Sequence, residues 1–118
     1  MKINILGTEY KITVKTYASA PLLKKLGWVG YCDQELKEII LLDLDKEEEW
    51  KDEIKAKKEA VHKSTLRHEI VHAFLNESGL CDDANQYGAA WSKNEEMVDW
   101  FAVQAPKIFK IYKELNIL

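Results

Sequence analysis

Histidine is scarce in this 118-residue chain, with three in all, and proline and cysteine stand at two each. Cys32 and Cys81 lie too far apart in sequence for a zinc knuckle, and they are expected as free thiols in a reducing compartment. No apolar run approaches the ~20 residues that a membrane-crossing helix needs. Lysine and arginine number 17 against 20 acidic residues, so no surplus of cations is available to neutralise nucleic-acid phosphates. The opening stretch, MKINILGTEYKI, reads as strand, turn, strand and lacks the apolar centre of a signal peptide. These absences point to a cytoplasmic protein whose partners are neither nucleic acid nor membrane.

What is present is ordinary globular composition, 47% hydrophobic and 31% charged, in a length that supports one core. A single α+β domain over residues 1–118 is expected. MKINIL and EYKITVKTY are rich in β-formers and flank Gly7-Thr8, which predicts a hairpin. Ser19 to Gly27 suits a short helix with Pro21 in its first turn and Gly27 closing it. WVGYCDQELKEIILLDL predicts a second hairpin centred on DQEL, and Leu36 to Leu44 is the candidate exposed edge of a small mixed or antiparallel sheet.

From Asp45 the period becomes helical. Trp50, Ile54 and Val61 form a narrow apolar stripe among charges of both signs, as on a solvated surface helix ending near Lys63. Ser64 or Thr65 is placed to cap a new helix running to Ser78, closed by Gly79 and apolar on most sides, hence expected to be largely buried. A third helix begins near Asn94. Pro106 is expected to break it, with PKIFKIYKEL restarting as a terminal helix that could cap the core or meet a partner.

Two of the three histidines, His68 and His72, stand four apart inside the middle helix with Glu69 between them. Four residues return to the same helical face, so both imidazoles can aim a nitrogen at one point. Glu69 is rotated by about 100° from His68 and can border that point without occupying it. This His-Glu-x-x-His spacing is that of two metal ligands and a general base. A catalytic zinc needs a third protein ligand, and Glu95 and Glu96 both lie at the start of the third helix. Glu95 shares a face with Asp99, which could accept the outward N–H of a ligand histidine and fix its tautomer. Glu96 lies toward another side and reads as a solvated first-turn charge. His62, six residues before His68, is off the ligand face and is read as a surface histidine. Tyr87 and Tyr112 are candidates for stabilising an oxyanion, each weighed against simple packing.

HEIVHAFL, followed after a loop by EEMVDWFAVQAP, resembles the compact ImmA/IrrE-type metallopeptidases and related small zincins of phages and mobile elements, minimal gluzincins. The resemblance spans residues 65–78 and 94–106, and Val98 departs from the alanine usual there. It implies zinc on His68, His72 and Glu95, Glu69 as general base, and Asp99 orienting the first motif histidine. The implied fold is a minimal zincin-like domain, a small sheet packed on the motif helix, then a ligand helix and a C-terminal helix. The implied activity is zinc-dependent hydrolysis of a cytoplasmic protein, taken up as an extended peptide along a strand edge. The alternative is a binding or assembly protein that keeps this fold and metal site but cuts nothing. Glu69 favours the enzyme, since a pure binder has little use for a general base.

Overall fold

The computed structural model of the chain describes residues 1–81 and 90–118, an α+β domain with a four-stranded mixed sheet. Strand β1 (Lys2–Ile5) and strand β2 (Thr8–Lys15) form the first hairpin, paired from Ile5 with Thr8 outward. Its two-residue turn has positive φ at Leu6 (51°) and Gly7 (92°), the twist that matches flanking strands. Helix α1 (Pro21–Leu26) follows, with Pro21 in its first turn and Gly27 as a left-handed cap. Strand β3 (Gly30–Asp33) and strand β4 (Glu38–Leu42) form the second hairpin.

The order is β1-β2-β4-β3, with β2 parallel to β4 and the other pairs antiparallel. This corrects the expectation that Leu36 to Leu44 supplies the free edge. Strand β4 is interior, and its outer neighbour β3 carries the edge. The reason lies in its side chains. Ile39 and Leu41 enter a core with Ile5, Tyr10, Ile12 and Ala73, while Ile40 and Leu42 enter a second one with Ala20, Leu23 and Leu44. A strand covered on both faces becomes a continuous apolar run, and such strands lie inside sheets.

The charged stretch does not form a separate helix. Residues 44–50 make two 3-10 turns, and helix α2 (Lys55–Glu77) then runs without a break through the motif. Ser64 caps nothing; its Oγ donates to the Val61 carbonyl (3.0 Å), a bond back to the preceding turn that leaves the helix intact. Trp50 and Val61 pack against the α1 side of the sheet as the stripe suggested, whereas Ile54 is exposed. Nor is the motif segment buried all round. Within α2 only Glu69 and Ala73 are fully buried, and Phe74 is 42% exposed, because the sheet covers one face alone. Helix α3 (Glu95–Glu114) is capped by Asn94, whose side chain accepts from the Met97 N–H (3.1 Å). It continues through Pro106, so the expected ligand and terminal helices are one.

The far end of α2 is tied to the sheet by Glu77. Its carboxylate accepts from Thr8 Oγ1 (2.7 Å) and Tyr10 OH (2.7 Å) and pairs with Lys37 (2.6 Å). The Lys37 ammonium, with the two hydroxyls, holds this carboxyl down at about 2. Because the folded value lies below the ordinary 4.5, its contribution is complete above pH 4.5 and is lost as pH falls toward 2. Glu77→Ala also strands the phenol of the fully buried Tyr10. We expect it to cost about 2–3 kcal/mol at pH 7 by urea unfolding, with the deficit shrinking below pH 4.

At the other end, Gly30 lets β3 lie against α2. A Cβ there would sit 2.6 Å from Thr65 Cγ2 and 3.2 Å from the Ile40 carbonyl. Gly30→Ala is expected to destabilise by roughly 1–3 kcal/mol. Adding Thr65→Ala removes the closest clash, so a double-mutant cycle should show recovery of a large part of that loss.

Candidate metal centre

Helix α2 presents His68 and His72 one turn apart, and a 3-10 turn (Trp91–Lys93) leads into α3 so that Glu95 falls opposite them. The two Nε2 atoms face each other at 3.0 Å. Glu95 spans them, Oε2 at 2.9 Å from His68 Nε2 and Oε1 at 3.2 Å from His72 Nε2. Asp99, one turn further along α3, holds the outward nitrogen of His68 (Nδ1 to Oδ1, 2.7 Å). The outward Nδ1 of His72 donates to the backbone carbonyl of Ser92.

These outer bonds decide what the inner atoms are. A carbonyl oxygen only accepts, so His72 carries its proton on Nδ1 and leaves a lone pair on Nε2. The Asp99 carboxylate imposes the same tautomer on His68. With both imidazoles neutral, two lone pairs and a carboxylate converge with no donor among them, an arrangement that a metal ion at their common point, or a proton on one ring, would satisfy. His68, Glu69 and His72 place their ligating atoms within 4.8 Å of one another. Two imidazoles, one carboxylate and a solvent-facing side make a donor set that fits zinc and also suits other divalent metals.

Glu69 borders this point without bridging it, with Oε1 4.0 Å from His68 Nε2. It is only 5% exposed, and burial pushes its carboxyl up to about 7. A proton on His68 would draw the value down, and the charge of Glu95 raises it further. A carboxyl that changes protonation near neutrality is matched to proton transfer.

The cluster lies on the wall of an open cleft of about 730 Å³ between the 27–32 segment, α2 and the start of α3. Trp28 and Val103 give it apolar sides, and Arg67 and Lys93 add charge. Cys32 also lines it, half-buried beside Asn76, with burial and Glu69 pushing its thiol up to about 12. Both cysteines are free thiols.

Of the residues singled out from sequence, His68, Glu69, His72, Glu95 and Asp99 therefore come together. Glu96 does not; it lines a neighbouring hollow with Asn94 and Trp100, which Asp99 also borders, and makes no contact with either histidine among those described. His62 is half-buried and borders a separate groove with Asp45 and Lys58. Tyr112 stands on the distal half of α3 and is not part of the cleft, while Tyr87 lies outside the described residues. The Ser92 carbonyl was not foreseen, since every residue owns a carbonyl and no residue type marks this one. Comparison with known proteins finds no matching family model, no similar curated protein and no similar solved structure.

Proposed function

We propose that this chain is a zinc-dependent metallopeptidase of the minimal zincin kind, with His68, His72 and Glu95 holding the ion and Glu69 as its general base. The observation that carries the reading is the convergence of two imidazole nitrogens and the Glu95 carboxylate beside a buried carboxyl poised near pH 7. Held by His68, His72 and Glu95, a zinc ion would supply Lewis acidity and make an attacking water more acidic. Glu69 takes the water proton and delivers it to the amine nitrogen of the breaking peptide bond. Asp99 and the Ser92 carbonyl keep both imidazoles turned inward with the lone pair free. The outer edge of β3, on the cleft wall, offers backbone donors and acceptors to an extended peptide, a role first expected of the interior strand β4. The substrate is thus a peptide segment of a protein that can open into extended form, and the setting proposed is the cytoplasm. No described helix is long and apolar enough to cross a membrane.

The test is elemental analysis of protein purified without a histidine tag or chelator, joined to hydrolysis of an unstructured protein by the loaded chain. About one zinc per chain with hydrolysis supports the reading. Zinc without hydrolysis favours the binding or assembly protein instead, and no metal after incubation with zinc overturns the site.

A further inference from the structure

We propose that the chain pairs with a second copy of itself through the outer face of α3. From Pro106 onward every residue of α3 except Ile108 is exposed, so the distal half of the helix stands away from the body. The radius of gyration is 15.7 Å, against about 13.5 Å for a compact chain of this length.

The arm is patterned. Met97, Phe101, Gln104, Ile108, Ile111 and Leu115 recur at alternating intervals of four and three residues, the seam by which one helix packs into another. The seam lies away from the site: Asp99 and Ile108, nine residues apart, fall half a turn from each other at about 100° per residue. A helix docked on it leaves the cleft open, and the inference does not depend on the metal.

The area fits a second copy. Trp100, Phe101, Ile111, Tyr112 and Leu115 are between 41% and 63% exposed. With Ile108 they offer roughly 500 Å² of apolar surface, toward the upper end of the largest patch, about 300–600 Å², that a monomer usually leaves uncovered. A standard interface buries about 800 Å² per partner, somewhat over half of it apolar. A face with one repeating seam and that area is self-sufficient when two copies meet about a two-fold axis. The spacing alone is that of any helix with one apolar face; it is the match in area to one side of a standard interface that points to a second copy.

Sedimentation equilibrium of the full chain tests this. At about 100 µM we expect a mass twice the 13.7 kDa of the chain. Ile108→Glu with Ile111→Glu should raise the dissociation constant at least about 100-fold with an unchanged circular dichroism spectrum. Leu115→Glu, at an exposed position, should weaken pairing in the same direction if the double variant fails to fold. Lys113→Glu, on the opposite side of the helix, should leave the dimer intact. A wild-type chain that stays monomeric at that concentration overturns the proposal. So does a dimer that the seam variants leave unchanged. A monomer that sediments with phosphatidylserine vesicles would assign the face to a membrane instead.

Discussion

Glu69→Gln is expected to leave zinc bound and to reduce hydrolysis of an unstructured protein by about a thousandfold or more. The amide keeps the volume of the carboxyl and cannot accept the water proton. Its effect on metal content should be small, because Glu69 borders the ligand atoms without joining them. Turnover near the wild-type rate would remove Glu69 from the assigned role. The same substitution makes a second, opposite-signed change that activity does not report. In the metal-free protein Glu69 titrates near 7, above its ordinary 4.5. Between those values the folded chain holds a proton that the unfolded chain has released, so stability falls as pH rises through that window. Glutamine lacks this penalty. Metal-free Glu69→Gln should be more stable than the parent at pH 8, by roughly 2–3 kcal/mol, with the gap closing toward pH 4.5. Loss of turnover together with gain of apo stability separates a catalytic carboxyl from one that merely packs.

Zinc affinity should collapse, on the order of a thousandfold, in Glu95→Ala and in His72→Ala, and scarcely change in Glu96→Ala. Competition against a chromophoric chelator measures all three. Neighbouring glutamates of one helix turn make a sharp comparison, since charge, propensity and distance from the chain ends are nearly matched. Only Glu95 reaches both Nε2 atoms. Asp99→Ala should fall between, about 10–100-fold weaker, because it fixes a ligand instead of being one. If Glu96→Ala proved the more damaging, the third ligand would shift by one residue and α3 would have to rotate.

The cluster was legible because each of its parts is local. His68 and His72 meet through helical period alone, and Glu95 and Asp99 share a face for the same reason. The docking of α3 on α2 and the Ser92 carbonyl lay beyond sequence, and Asn94, Val98 and Ala102 give α3 its start and its buried side. The strand order was not legible, because β3 and β4 both read as β-forming and the parallel pairing of β2 with β4 joins residues far apart in the chain. Two boundaries were misplaced where a local signal was overridden. Ser64 has a capping side chain but spends it on the Val61 carbonyl, and the helix begun at Lys55, with Lys55 and Glu59 paired in its first turns, runs straight through. Pro106 lacks the N–H that a helix interior uses, yet α3 passes it on a stretch where little else packs.

The two histidines are steered by unlike means, and this sets how each can be lost. His68 depends on a carboxylate that a single codon change can delete. His72 depends on a main-chain oxygen, which survives substitution of the serine that carries it. In a saturation scan, position 99 should be intolerant, whereas position 92 should respond only to the space available for its buried side chain. Mutational robustness is thus divided unevenly between the two candidate ligands, with the geometry of the 91–93 turn, more than the identity of any residue in it, guarding the second histidine.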